Sequence, residues 1–328
     1  MTTMQAEGRR TAGWYLIRLV ESRESSLLLV VLIVGVIFSL GTKTFFSVEN
    51  ILNICKQVTL VTIVAAGQTF IITSGGIDLS VGSSLGLSSV IMSWLIAREW
   101  ALYVSIPAGI LIGLAFGLLN GFFITRLRLP PFIVTLGMAS VGRGLLLIIT
   151  RGYAITIDSP LIMSLGNDRV LGIPVMALFM PVVVIVAAFL LNHTVFGNHV
   201  KAVGGNELAT RLCGINVNGL KLRVYALAGL FCGIAGVIMT GRLNGGNPNA
   251  GLNFDMDTIA AVIIGGTSLQ GGSGTIIGTM LGAVLLGMIR NGLVLWNVNM
   301  YWTTVTTGAI IILVCAIDSF TSRQRERT

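Results

Sequence analysis

The sequence predicts an all-α membrane protein with about ten transmembrane helices. Of its 328 residues, 54% are apolar and only 10% are Asp, Glu, Lys or Arg, whereas ordinary soluble domains contain about 25% charged residues. A soluble fold already exposes mostly apolar atoms at normal composition, so it has no interior for this much more apolar surface. The apolar residues also fall into long runs, each close to the roughly 20 residues that cross a bilayer. The composition excludes a soluble enzyme, a disordered chain and a secreted disulfide scaffold.

The apolar runs define ten predicted spans within a membrane domain at 25–318. They are 25–42, 51–73, 81–97, 103–125, 132–150, 174–192, 223–242, 257–270, 275–295 and 301–318. The run at 257–270 is short, which suggests a broken helix. The polar segment 1–24 precedes the first span without a cleavable signal, because no small-residue cleavage site follows the apolar run. Residues 319–328 form a short tail.

The basic residues predict the orientation of the chain. An even number of spans puts both termini on one side, and most Lys and Arg residues then fall in cytoplasmic segments, as the positive-inside rule requires. The net charge of +8 is therefore explained by contact with a lipid bilayer rather than with nucleic acid. We expect both termini in the cytoplasm.

Glycine spacing predicts how two parts of the chain pack. Gly109, Gly113, Gly117 and Gly121 recur every four residues, which places them on one helix face where another helix can approach closely. A second glycine pattern links two distant segments, 74–83 and 264–273, which resemble each other and each stand between two spans. Glycine-rich breaks at corresponding positions are typical of discontinuous helices around a translocation path.

Asp78 is the most unusual charged residue, because it lies between two apolar helices. A carboxylate at the bilayer centre costs about 2.5–3.5 kcal/mol on insertion scales. Two interpretations stay open: Asp78 lines a pathway, or it caps the third span at the membrane surface. Ser80 or Ser83 is expected to cap the helix that follows. Arg143 and Arg290, also within spans, are expected to snorkel or to find partners.

The longest cytoplasmic loop, 193–222, contains a predicted short amphipathic helix. Asn206 is a good N-cap, Glu207 suits the first turn and Gly214 suits the C-terminal end. A helix over 206–213 is too short to span the membrane or to be stable alone. It needs a groove, either in its own bundle or in another protein.

Several chemistries are absent from the sequence. None of the four lysines follows a glycine, so there is no phosphate-binding P-loop. The Gly271–Gly274 stretch fits the short motif of intramembrane serine proteases, but both histidines lie in the cytoplasmic loop. No catalytic, metal or cofactor site is predicted.

Three stretches make the chain resemble a known family, the permease subunits of ribose-type sugar ABC importers. They are Ser74–Ser83, Thr194–Gly219 and Asp257–Ala283, and the resemblance runs from about residue 45 to 318. It implies about ten spans in the type II, vitamin-B12-importer-like architecture. It also implies a cytoplasmic loop that supplies the coupling helix for the ATPase. The residues that match this loop motif are Gly204, Gly205, Asn206, Glu207, Ala209, Thr210, Gly214 and Ile215.

The resemblance also implies the partners. These are a second permease subunit, expected to be an identical copy, a cytoplasmic ATPase with two fused cassettes that binds ATP and Mg, and a periplasmic sugar-binding protein. The protein is then expected in the bacterial inner membrane. Small polar groups are candidates to line the path of the sugar. They are Gln68, Thr69, Asp78, Ser80, Asn120 and Thr135.

Two alternatives stay open at this point. The same class of importer also carries polyols and furanone-type signalling molecules. A secondary transporter driven by an ion gradient would instead need a relay of ionisable groups within the membrane. The charged residues Asp78, Arg143 and Arg290 are too sparse and too scattered to favour such a relay.

Overall fold

A computed structural model describes residues 23–299, 301–302, 305–306, 308–309 and 312. The predicted segments 1–24 and 319–328, apart from residues 23 and 24, and most of the predicted span at 301–318 fall outside these residues. The part that is described is mostly helical, as the composition predicts. The helices are α1 (Arg23–Gly41), α2 (Val48–Thr73), α3 (Val81–Ile96), α4 (Leu102–Arg126), α5 (Pro131–Thr150), α6 (Pro160–Asn167), α7 (Phe179–His193), α8 (Val195–Gly205), α9 (Glu207–Leu212), α10 (Val217–Leu243), α11 (Phe254–Ile264) and α12 (Ile276–Leu295).

Two small antiparallel sheets connect the loops. Strand β1 (Ile155–Thr156) pairs with β4 (Gly245–Gly246), and β2 (Arg169–Val170) pairs with β3 (Ile173–Pro174). A 3-10 turn over Val175–Leu178 leads into α7.

Seven helical segments in the described residues are long and apolar enough to cross a membrane. They are α1, α2, α4, α5, α7 with the turn before it, α10 and α12. The apolar helix α3 is shorter, with 16 residues. Two predicted boundaries were wrong. The helix predicted at 257–270 ends at Ile264, because a glycine-rich break follows it, and α10 begins at Val217 rather than at 223, because the side chain of Asn216 caps it.

The glycine face of α4 packs directly against α10, as predicted. A Cβ atom added to Gly113 would lie 2.4 Å from the backbone nitrogen of Gly233, and one added to Gly117 would lie 2.2 Å from the carbonyl oxygen of Tyr225. Side chains larger than hydrogen therefore cannot occupy this face without separating the helices. Most of α2 and α10 is buried, whereas less than a third of α4, α5 and α7 is buried. The breaks and loops that carry the candidate site are grouped around the buried pair α2 and α10.

Candidate translocation groove and coupling segment

Asp78 lies in the non-helical break between α2 and α3 and is only 3% exposed. Its Oδ1 atom accepts hydrogen bonds from the backbone N–H of Ser80 at 2.7 Å and from the Ser80 hydroxyl at 2.6 Å. Its Oδ2 atom accepts a hydrogen bond from Nδ2 of Asn120 on α4 at 3.3 Å, and the same Nδ2 donates to Ser80 Oγ at 2.8 Å. The carboxylate is therefore held inside the protein by α4 and does not cap α3 at a surface.

The two serines of this segment do not cap α3 through their side chains. Ser80 occupies the N-cap position, but its hydroxyl donates to Asp78 instead of accepting from the helix. The hydroxyl of Ser83 donates to the carbonyl oxygen of Ser80 at 2.9 Å. The capping prediction was wrong because a buried carboxylate has to be surrounded by donors.

The structure brings four of the six predicted path residues together. Gln68 on α2 joins Asp78, Ser80 and Asn120 by donating its Nε2 to the carbonyl oxygen of Asp78 at 3.2 Å. The other two lie apart from this group: Thr69 shares a hydrogen bond with a threonine of α12 at 2.8 Å, and Thr135 donates to a carbonyl of its own helix at 2.9 Å. All six are buried within the chain.

Two oxygens of this cluster have no hydrogen-bond partner among the described residues. They are Oε1 of Gln68 and Oδ1 of Asn120, and both side chains are fully buried. A buried acceptor without a donor costs about 1–3 kcal/mol. Both oxygens can accept a hydrogen bond from a buried water molecule.

Replacing the Asn120 amide with a charged group should destabilise the protein more than removing the amide does. Replacing Asn120 with Asp removes the donor and places a second carboxylate beside Asp78, so repulsion adds to the lost hydrogen bonds. We expect N120D to lower the melting temperature in detergent more than N120A does. The control is N218D at the exposed Asn218, which should change the melting temperature little. An N120D protein as stable as N120A would contradict an ionised Asp78.

A groove of about 470 Å³ runs beside this cluster. Its lining includes Leu79, Gly82 and Ser83 at the start of α3, Arg143 of α5 and Asp255 at the start of α11. Leu79 and Ser83 are sequence neighbours of Asp78 and Ser80, so the groove and the buried network share one backbone segment. The groove offers a cation, an anion and hydroxyls to a polar ligand.

Arg143 and Asp255 were not predicted as site residues. The guanidinium of Arg143 donates to the carbonyl oxygen of Ala250 at 3.2 Å and is 3.5 Å from Oδ1 of Asn249. This arginine therefore has polar partners in the loop before α11. The only sequence signal was its charge within an apolar run, which does not reveal a facing loop more than 100 positions away.

The two glycine-rich breaks that resemble each other in sequence are in contact at the C-terminal end of α8. The backbone N–H of Gly272 donates to the carbonyl oxygen of Thr73 at 2.9 Å. Gly204, at the end of α8, lies so close that an added Cβ would be 1.8 Å from that same oxygen. A Cβ on Gly271 would lie 3.1 Å from the backbone nitrogen of Gly75. We call this backbone contact of Thr73, Gly75, Gly204, Gly271 and Gly272 the glycine crossing.

The predicted amphipathic helix is α9, and it follows the glycine crossing directly. Oδ1 of Asn206 accepts the backbone N–H of Ala209 at 2.9 Å, and Gly214 has a left-handed φ of 82° just beyond the helix. Both end signals of the prediction are confirmed. Leu208 is 69% exposed and Leu212 is 81% exposed. Within the described residues, the apolar stripe is therefore not covered by the bundle.

Glu207 ties the first turn of α9 to α10. Its carboxylate accepts from Nζ of Lys221 at 2.6 Å and from Arg211 at 3.0 Å. The hydrogen bond from Lys221 is the main cause that lowers the pKa of Glu207 below its ordinary value. Because the pKa is lowered in the folded state, these contacts stabilise α9 above the ordinary pKa of the carboxylate, and their contribution is lost as the pH falls through the lowered value.

A second buried polar cluster connects α2, α11 and α12. The two terminal guanidinium nitrogens of Arg290, Nη1 and Nη2, donate to the carboxylate of Asp257. The amides of Asn50 and Asn291 exchange two hydrogen bonds at 2.8 Å. Of the two outcomes expected for Arg290, snorkelling or pairing, the structure shows an ion pair with Asp257.

A family described as the permease component of the branched-chain amino acid transport system matches residues 50–315. The chain belongs to this permease family. The match includes the Asp78 break, the glycine crossing and α9, which are the features that the site is built from.

Several curated relatives are named as sugar permeases. The ribose import permease protein RbsC of Escherichia coli (strain K12) is 37% identical over 325 residues, which is 97% of this chain and 99% of the relative. RbsC of Bacillus subtilis (strain 168) is 40% identical over 87% of this chain and 89% of its own length. The L-arabinose ABC transporter permease protein AraH of Azospirillum brasilense is 35% identical over 98% and 93%.

One solved structure has a similar fold. It is described as an inward-facing conformation of a metal-chelate type ABC transporter, and it aligns with a TM-score of 0.51 over 91% of this chain and 98% of its own. The sequence identity is 13%, so the likeness concerns the fold alone. The chain is thus a multi-pass membrane permease with the fold of an ABC transporter subunit.

Proposed function

We propose that this chain is the permease subunit of an ATP-driven importer that carries a monosaccharide, ribose or a related sugar, across the bacterial inner membrane. The observation that carries the proposal is the similarity over nearly the whole chain to permeases named for ribose and L-arabinose. The family description names amino acids, but these relatives are named for sugars. No described feature favours a polyol or an ion-coupled transporter.

The partners follow from the importer class. A cytoplasmic ATPase, with two fused cassettes, binds ATP and Mg, and this chain holds no cofactor. The exposed stripe of α9, with Leu208 and Leu212, supports the assignment of 193–222 as the coupling loop. A periplasmic binding protein delivers the sugar to the opposite face.

We further propose ten spans in the type II architecture, with both termini in the cytoplasm and two copies around a central path. The ABC-type fold supports this arrangement. The groove between α3 and α5 is our candidate for the wall of the path, because Ser83, Arg143 and Asp255 in its lining can bind the hydroxyl groups of a sugar. The buried cluster of Gln68, Asp78, Ser80 and Asn120 stands behind this wall and holds it in shape.

The glycine crossing suggests how the ATPase acts on the groove. When the cassettes move α9, they also move Gly204, whose backbone is in contact with the last residue of α2 and with the glycine-rich break before α12. Backbone contacts of this kind leave no side chain that can rotate to absorb a displacement. A movement of α9 therefore reaches Asp78 and the start of α3 through the crossing.

Transport is the direct test. Proteoliposomes that contain this chain, its ATPase and its binding protein should accumulate a labelled monosaccharide when ATP is enclosed. Ribose, arabinose and fructose are compared with leucine and with inositol. Uptake of leucine alone, or uptake that needs a proton gradient and not ATP, would contradict the proposal.

The apolar stripe of α9 gives a sharper prediction. Burying one leucine contributes about 1.5–3 kcal/mol, so the double variant L208E/L212E should lose at least tenfold in ATP-dependent uptake and should no longer retain the ATPase on purification. Both side chains are exposed, so the gel-filtration profile and melting temperature should stay at wild-type values. Retention of the ATPase at the wild-type level would refute the coupling assignment.

A further inference from the structure

A second cavity, of about 450 Å³, lies between the α4–α5 turn and helices α9 and α10. Arg128 and Leu129 of the turn line one side, and Glu207, Arg211 and Lys221 line the other. We call it the turn cavity. It shares no lining residue with the groove beside Asp78.

The turn cavity carries an excess of positive charge. Its three cations face a single carboxylate, and Glu207 is already bound to Lys221 and Arg211. Arg128 is exposed and makes no hydrogen bond or ion pair with any other described residue. Its backbone has a left-handed φ of 55°, a conformation that non-glycine residues seldom adopt. The charges that line the cavity therefore favour an anionic ligand.

The surroundings of the turn cavity point to a lipid rather than to a soluble anion. Leu129, which lines it, is exposed, and so are Phe122 in the last turn of α4 and Phe132 in the first turn of α5. Aromatic and aliphatic side chains beside a basic pocket at a helix end match a molecule with both acyl chains and a phosphate. A free phosphate would use only the cations.

We propose that the turn cavity binds the headgroup of an anionic phospholipid, with the acyl chains against Phe122 and Phe132. This inference goes beyond the proposed function, which assigns no lipid to the chain. The phosphate oxygens compete with Glu207 for Arg211 and Lys221. Because Glu207 and Arg211 belong to α9, the bound lipid alters how firmly α9 is tied to α10.

The experiment is lipid binding by the full chain, purified and delipidated in mild detergent. Dioleoyl phosphatidylglycerol is titrated and the bound lipid is counted by native mass spectrometry. The variant R128Q should weaken binding about fivefold, which corresponds to one basic residue near a membrane surface. R211Q should weaken it to a similar extent. The control is R126Q. Arg126 is exposed and lies two residues before Arg128, but it does not line the cavity. R126Q removes the same charge and should change the affinity less than twofold.

Three results would overturn the proposal. Equal effects of R126Q and R128Q would show that only general surface charge attracts the lipid. Equally tight binding of phosphatidylcholine and phosphatidylglycerol would show that the headgroup charge is irrelevant. Complete displacement of the lipid by millimolar inorganic phosphate would show that the site takes a soluble anion. Since no transport is measured, a failure here is distinct from a failure of the importer proposal.

Discussion

Replacing Gly204 with alanine should destabilise the protein by about 3 kcal/mol, the upper part of the range for overpacking. The new Cβ would lie 1.8 Å from the carbonyl oxygen of Thr73 and 2.5 Å from the backbone nitrogen of Gly272. Both atoms belong to the backbone, and they already bond to each other at 2.9 Å. Neither can move aside as the end of a flexible side chain would, so the crossing has to open.

The neighbouring Gly205 provides a matched control. It belongs to the same motif and the same helix end, but an added Cβ would meet only Gly272 Cα, at 4.0 Å. G205A should therefore keep the yield, melting temperature and ATP-dependent uptake near wild-type values, whereas G204A should lower all three. Equal losses of yield, melting temperature and uptake in the two variants would contradict the idea that the close backbone contact of Gly204 is what matters.

Replacing Asp257 with alanine should be the second severe change. Breaking a buried ion pair by removing one partner costs about 3–5 kcal/mol, because a charge is left uncompensated. The Arg290 side chain is 34% exposed, so screening reduces this cost and we expect about 2–3 kcal/mol. The melting temperature in detergent measures the effect.

The control for the ion pair is Asp255, which lies in the same first turn of α11. D255A removes a carboxylate near the same helix end but no ion pair with a described residue, so it should shift the melting temperature much less. The double variant D257A/R290A should be more stable than the sum of the two single variants predicts, because both single changes break the same ion pair. Additive single effects would contradict a coupled pair.

The sequence by itself determined the local features of this protein. Long apolar runs predicted the membrane fold, since their length follows from the thickness of the bilayer. The four-residue glycine period predicted the helix face of α4, and Asn206 with Gly214 predicted both ends of α9. These signals lie within a few residues of one another, so backbone geometry alone relates them.

Only the tertiary structure decided which distant groups meet. Asp78 finds its donor 42 positions away in α4, and Asp257 finds Arg290 33 positions away in α12. In a soluble protein the polar face of each helix would have indicated its orientation. Here most helices are apolar on every side, because lipid and core accept the same side chains. The sequence therefore does not distinguish the faces, and the packing of the backbones at the glycines determines them.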